Sequence, residues 1–195
     1  MTRYLLFTLF LLFNGQLFAQ DLSNFKVLKD VSDVEVIFDY STMKVLKDNY
    51  KEEDYVKLRT AELNKKLEES GDLWATRWSR AKEEIWEPKF LLLLNKYVAD
   101  KVKFKAKASD SKYILKVKVA WVYPGWDAGL VKQAAKANSI ITLYERANPS
   151  NVLVSELFDE MPGSQFGSNF SNESRLGESF AKTGKELGKI IKKRI

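Results

Sequence analysis

The segment Tyr113–Val122 alternates apolar and polar side chains, and this alternation constrains the fold more than any other feature of the chain. Successive side chains of a β-strand point to opposite faces of the sheet. One face of this strand would consist of Tyr113, Leu115, Val117, Val119 and Trp121, and the other would carry Lys116 and Lys118. Such a strand belongs to a sheet with one buried and one solvated face. We therefore expect a sheet that is covered by helices on one side only.

Four other segments have the pattern of extended chain. Val34–Phe38 alternates, and the segments Asn138–Arg146 and Val152–Asp159 are joined by a predicted turn over residues 148–151. Lys101–Lys107 has lysine at every second position, which suits an edge strand. The order of elements predicts an α+β fold, a two-layer sandwich with helices on one face. Its sheet would be mostly antiparallel, with a first strand followed by a three-strand meander.

Helical patterns fill the region between the first strand and the others. A helix over residues 50–69 is predicted because Asn49 and Glu52 have the spacing of a capping box. A second helix follows, and Pro88 predicts a kink or a restart near Trp86. The apolar face of this second helix is expected to lie in the core and consists of Trp74, Trp78, Ala81 and Ile85.

The amino terminus has the three parts of a secretory signal peptide. Arg3 supplies the positive charge, Leu5–Phe13 the apolar core and Ala19 a small residue at the cleavage position. This apolar run is shorter than the roughly 20 residues that a bilayer-spanning helix needs. We predict a signal peptide over residues 1–19, a single α+β domain over residues 20–195 and no transmembrane segment. The mature protein would be periplasmic or secreted.

The sequence contains no cysteine and no histidine. An exported chain without disulfides is more typical of a bacterial envelope than of a eukaryotic extracellular space, and this chain has no cysteine for a lipid anchor. Serine-histidine and cysteine-histidine nucleophiles and most zinc sites are also excluded. We therefore expect neither a metal nor a cofactor. The net charge of +6 is mixed along the chain, so we expect no nucleic-acid partner.

The segment Gly177–Lys189 has the look of a phosphate-binding loop. Ser179 and Glu186, however, stand where that motif requires a glycine and a serine or threonine, and the apolar residues recur at helical spacing. In a helix, one face would consist of the small residues Gly177, Ala181, Gly184 and Gly188. Each glycine destabilises a helix by about 1 kcal/mol relative to alanine, so close packing must offset this. We expect the face to contact the protein's own sheet or second helix. Self-association into a homo-oligomer is the alternative.

Two long loops, over residues 123–137 and 161–172, are predicted at the same end of the meander. Both contain aromatic residues beside glycine. Long loops in compact domains are commonly functional, and exposed aromatics are typical of recognition surfaces. We predict a ligand or partner site formed by Tyr123, Trp126, Phe166 and Phe170. The alternative is that these aromatics cover the open end of the core.

Catalysis in such a chain would have to rely on carboxylates, as in glycosidases, which use two of them across a cleft. Asp127, Asp159 and Glu160 are candidates by position alone, because the sequence contains no spacing signal. We expect a non-catalytic binding or accessory subunit of an envelope complex, whose partner is an envelope protein or a polysaccharide. A carboxylate-dependent carbohydrate-active enzyme is the alternative.

Several stretches between residues 111 and 191 resemble a group of uncharacterised exported bacterial envelope proteins. They are the strand Ser111–Val119, the turn Pro124–Gly125, the hairpin strands at 140–145 and 151–154, and the final helix. That group is similar to the amino-terminal domain of TolB and to the curli-secretion lipoprotein fold. The resemblance implies a small α/β sandwich used in envelope assembly, without known catalysis. The chain departs from it by lacking the lipid-anchor cysteine that many such proteins carry.

Overall fold

The computed structural model describes residues 21–108, 110–128, 131–163 and 171–195. The predicted signal peptide, residues 1–19, lies outside the described residues. The strands are β1 (Asp33–Asp39), β2 (Lys44–Val45), β3 (Tyr50–Lys51), β4 (Lys103–Ala106), β5 (Tyr113–Tyr123), β6 (Trp126–Asp127), β7 (Lys132–Gln133), β8 (Lys136–Glu145) and β9 (Asn148–Pro162). The α-helices are α1 (Glu52–Lys66), α2 (Ser70–Ala81), α3 (Glu87–Val98) and α4 (Asn172–Lys192). The chain is thus of mixed α and β composition.

The main sheet is mixed, so the prediction of a mostly antiparallel sheet is wrong. Its main strands lie in the order β4-β1-β5-β8-β9, and the short pair β2-β3 extends it beside the far end of β5. Strand β1 pairs in parallel with both β4 and β5. Parallel neighbours need a long crossover connection, and the three helices between β1 and β4 provide it. The first strand therefore lies inside the sheet, and the lysine-rich β4 lies at its edge as predicted.

The last part of the sheet is an antiparallel meander, in agreement with the sequence. Strand β5 pairs with β8, and β8 pairs with β9. The small hairpin β6-β7 is inserted between β5 and β8. The β8-β9 ladder continues to the pair Glu145 and Asn148, so its turn is tighter than the predicted turn over residues 148–151.

The first long helix starts later than predicted, because the predicted capping box does not form. Asn49 has φ +55° in the turn between β2 and β3, and Lys51 precedes the helix without a side-chain cap. The Glu52 carboxylate instead accepts from Trp78 Nε1 at 2.9 Å and binds Lys82 Nζ at 2.7 Å. Within the part of the chain that the structure describes, no helix is long and apolar enough to cross a membrane.

Aromatic side chains fill the core between the helices and the sheet. The predicted apolar face of the second helix is confirmed as core at Trp74, Trp78 and Ala81. At the predicted kink, a π-helical turn over Lys82–Trp86 separates α2 from α3. This wider turn adds a residue to the helical repeat, and the fully buried residue that follows Ala81 is Trp86 instead of Ile85.

The small-residue face of α4 lies against the π-helical turn and α3 of the same chain. A Cβ atom built on Gly184 would lie 2.2 Å from the carbonyl oxygen of Phe90. One built on Gly188 would lie 2.7 Å from Tyr97 Cβ, and one on Gly177 would lie 2.7 Å from Ile85 Cγ2. The glycines therefore allow two helix backbones to approach more closely than side chains would permit.

Asp39, at the end of β1, should contribute to stability in a pH-dependent way. Its Oδ2 lies 2.7 Å from Lys116 Nζ, and its Oδ1 accepts from the Ser41 hydroxyl and amide. These contacts, Lys116 first, hold the pKa of Asp39 well below its usual range. Stability from a lowered carboxyl pKa is present above the unfolded-state value and is lost as the pH falls towards the folded-state value. We expect Asp39→Asn to unfold more readily at pH 7 and to lose less stability below about pH 4.

Urea denaturation at several pH values measures this effect. Asp48→Asn, at an exposed position in the neighbouring turn, is the charge-matched control. If the acid limb of the Asp39→Asn stability profile followed that of the control, the contribution of the Asp39 contacts would be negligible.

Candidate functional site

A pocket of about 550 Å³ lies at the far end of the meander. We call it the open-face pocket, because the strand β5 residues that line it point away from the core. It lies within the size range of small-molecule sites. Its lining combines two aromatic rings with amides and both signs of charge: Lys47, Asn49, Trp121, Tyr123, Gln133, Lys136, Asn138, Asp159 and Glu160.

A bulge in β5 turns the two aromatics into this pocket. Val119 pairs with Ser139 and Trp121 pairs with Asn138, which leaves Ala120 as an extra residue in the ladder. The bulge shifts the alternation by one position, so Val122 is buried and Trp121 faces the pocket. The prediction that Trp121 continues the buried face is therefore wrong at this one residue. A β-bulge re-aims side chains in just this way.

A second bulge, in β9, turns the carboxylates towards the pocket. Ser139 pairs with Phe158 and Ala137 pairs with Met161, so Asp159 and Glu160 together face Asn138. Asn138 binds both members of the bulge. Its Oδ1 accepts from the Glu160 backbone N–H at 2.7 Å, and its Nδ2 donates to Asp159 Oδ1 at 2.5 Å. The side chain of Asn138 thus satisfies one backbone N–H of the bulge and holds one of its two carboxylates.

The polar atoms of the two aromatic rings are already engaged by the protein. Trp121 Nε1 donates to the Leu46 carbonyl at 2.7 Å, and the Tyr123 hydroxyl donates to Gln133 Oε1 at 2.6 Å. The two rings are nearly parallel, with an interplanar angle of 10° and centroids 6.1 Å apart. These bonds hold the rings in place, and the ring surface is what remains for a ligand to contact.

The hairpin β6-β7 brings Trp126 next to this aromatic pair. Gly125 has φ +64°, a conformation that suits glycine, and starts the hairpin. Trp126 Nε1 donates to Gln133 Oε1 at 2.8 Å, the same oxygen that binds Tyr123. Trp126 is 42 % exposed and lies beside the pocket without lining it. Trp126 therefore adds a partly exposed ring beside the Trp121 and Tyr123 pair.

Arg175, in the first turns of α4, supports the loop that carries the site. Its Nε donates to the Pro124 carbonyl at 3.0 Å and its Nη2 to the Gly125 carbonyl at 3.2 Å. The residue is 2 % exposed, and burial lowers the pKa of the guanidinium, an effect that nearby Asp127 and Glu173 oppose. The last helix thus fixes the position at which β5 ends.

The three candidate carboxylates do not form one cluster. Asp159 and Glu160 line the pocket, and Glu160 binds Lys136 Nζ at 2.6 Å. Asp127 does not line the pocket; its Oδ2 lies 3.8 Å from Lys132 Nζ, and its side chain is 3 % exposed. Among the described residues, no group of three or more acidic side chains is arranged to hold a metal ion.

The structure brings together two of the four predicted site residues, Tyr123 and Trp126, through Gln133. Phe166 and Phe170 lie outside the described residues. Sequence reasoning missed Trp121 and Asn138, which line the pocket. An extra residue in one strand is defined only by the pairing of its neighbours, so the sequence of β5 alone carries no signal for it.

Comparisons with models of known protein families, with curated proteins and with solved structures found no match to this chain. The resemblance to the TolB amino-terminal domain and to the curli-secretion lipoprotein fold therefore stays a prediction.

Proposed function

We propose that this protein is a non-catalytic, exported binding or accessory subunit of a bacterial envelope complex, periplasmic or secreted. Its partner, an envelope polysaccharide or protein, would bind at the open-face pocket. The observation that supports this proposal is the pair of bulges on either side of Asn138, which turn aromatic rings and carboxylates into one pocket. Bulges are enriched next to functional sites, where they re-aim side chains.

The state of the pocket side chains favours binding over catalysis. Asp159 is hydrogen-bonded to Asn138, and Glu160 is paired with Lys136. Both carboxylates belong to one bulge of β9, whereas the carboxylate pair of a glycosidase lies on opposite sides of a cleft. Each is held in place and keeps further lone pairs that can accept from a ligand.

A carbohydrate-active enzyme is the second candidate, because two of the three candidate carboxylates line the same pocket. A screen for oligosaccharide hydrolysis tests it with Asp159→Asn and with Asp127→Asn, a carboxylate that does not line the pocket, as the matched control. Turnover by the parent protein that only Asp159→Asn abolishes would support the enzyme and contradict the non-catalytic proposal.

Photo-crosslinking in the native cells tests the binding proposal. A photoreactive phenylalanine replaces the exposed Lys47 at the pocket wall, or Leu92 on α3 as the control, which is 66 % exposed. We expect the Lys47 variant to form a discrete glycan or protein adduct, visible by gel shift and mass spectrometry, and the Leu92 variant to form none. Equal adduct yields at both positions, or no adduct at Lys47, would overturn the proposal.

A further inference from the structure

We infer that the open-face pocket binds an uncharged saccharide, with a sugar ring packed on the Trp121 and Tyr123 rings. This inference rests on the proposed binding function and names the ligand class of the same site. Three properties of the pocket carry it: the aromatic surface, the balance of charge and the mixture of hydrogen-bonding groups.

The aromatic pair offers a surface that suits the C–H face of a sugar ring. A pyranose presents apolar C–H groups on a face and hydroxyls around its rim, and the negative face of an aromatic ring attracts those C–H groups. The Trp121 indole N–H and the Tyr123 hydroxyl are bound by Leu46 and Gln133. A ligand on this pair therefore meets mainly ring carbon, on rings that these bonds hold in position.

The charges that line the pocket balance. Lys47 and Lys136 are opposed by Asp159 and Glu160, and Lys136 and Glu160 pair directly at 2.6 Å. A phosphate, a sulfate or a uronic acid would meet two carboxylates, and a cationic ligand would meet two ammonium groups. Neither charged class gains net electrostatic attraction, whereas the binding of a neutral ligand does not depend on such attraction.

The polar groups of the wall match hydroxyls. Carboxylates accept hydrogen bonds, ammonium groups donate them and amides do both, while a hydroxyl both donates and accepts. The wall contains all three types, with Asn49, Gln133 and Asn138 as the amides. A ring with several hydroxyls can therefore satisfy every kind of group in the pocket. A stacked nucleobase in single-stranded nucleic acid would instead require a positive groove along its backbone.

Calorimetric titration of the full chain tests the inference. The probes are neutral oligomers of hexoses and of N-acetylhexosamines, with uronic-acid oligomers and a sulfated oligosaccharide as the charged comparators. We expect at least one neutral oligomer to bind, with a Kd that stays within twofold between about 0.05 and 0.5 M salt, because screening acts on charged partners. Binding restricted to charged oligomers, or to none, would overturn the inference.

The Trp121→Ala variant should raise the Kd of that oligomer roughly tenfold, and Trp121→Phe, which keeps a ring, should recover most of the loss. Leu157→Ala is the matched control, because Leu157 is 57 % exposed on β9 and does not line the pocket. Thermal melts of each variant separate lost binding from lost folding. An unchanged Kd in folded Trp121→Ala would overturn the inference.

Two further comparisons identify the form of the ligand and separate the saccharide inference from the proposed binding function. Co-sedimentation with an insoluble neutral polysaccharide, compared with titration of its soluble oligomer, distinguishes a polymer from a free sugar. If the purified protein bound no neutral saccharide while the Lys47 position still formed a protein adduct in cells, the saccharide would be wrong and the binding function would stand. If neither occurred, both proposals would fail.

Discussion

Replacing Trp86 with alanine is expected to lower the free energy of unfolding by about 3–5 kcal/mol, the cost of removing a large aromatic side chain from a packed core. Trp86 is fully buried at the end of the π-helical turn. Its ring stacks on Phe180 at 5.3 Å and meets Trp78 edge-on at 5.4 Å and Tyr40 at 6.1 Å. One side chain thus connects α2, the residue that follows β1, and α4, and its loss would leave a cavity between all three.

The Trp86 side chain also has a polar role. Its Nε1 donates to the Glu173 carbonyl in the first turn of α4 at 2.9 Å. Trp86→Phe should therefore be intermediate, because it keeps part of the ring volume but leaves that buried acceptor without its donor. Chemical denaturation monitored by circular dichroism measures all three proteins.

Leu92→Ala, on the exposed face of α3, is the control for the Trp86 variants and should change stability by less than about 0.5 kcal/mol. A Trp86→Ala variant as stable as Leu92→Ala would mean that the core does not depend on this contact.

Replacing Gly184 with alanine is expected to destabilise the protein by about 1–3 kcal/mol, the usual range for overpacking. The direction of this change in stability is informative, because alanine in place of glycine stabilises an exposed helix by about 1 kcal/mol. At position 184 the added Cβ would lie 2.2 Å from the Phe90 backbone oxygen, so α3 and α4 would have to move apart. Gly184→Leu should be worse, since a larger side chain enters the same space.

Thermal denaturation together with sedimentation analysis distinguishes packing of the small-residue face within the chain from self-association. Lys182→Ala, at a partly exposed position of α4, is the control. If Gly184→Ala melted like the control and lost an oligomer present in the parent protein, the face would serve self-association instead of packing within the chain.

The two bulges decide more about the site than any residue type does. Without the extra residue at Ala120, Trp121 would continue the buried face of β5, as its alternation with Val117 and Val119 predicts. Without the extra residue in β9, Asp159 and Glu160 would point to opposite faces. Asn138 satisfies polar groups of the β9 bulge, which makes it the residue on which the pocket geometry depends.

The predictions that succeeded rested on local patterns. The alternation over Tyr113–Val119 and the aromatic face at Trp74 and Trp78 were sufficient because strand and helix periodicities report burial directly. The meander followed from the order of three consecutive strand segments, of which the last two are joined by a short turn. The capping box failed because Glu52 found partners in α2, at Trp78 and Lys82, that are distant in sequence.

Local sequence therefore determined the long strands and helices and most of their buried faces, because those properties depend on residues a few positions apart. Only the tertiary structure decided that β1 lies between two parallel neighbours, that α3 fills the small-residue face of α4, and that two bulges meet at Asn138. The physical reason is that strand partners, close helix contacts and ladder irregularities are relations between distant segments. Their free energy is defined only once both segments are in place.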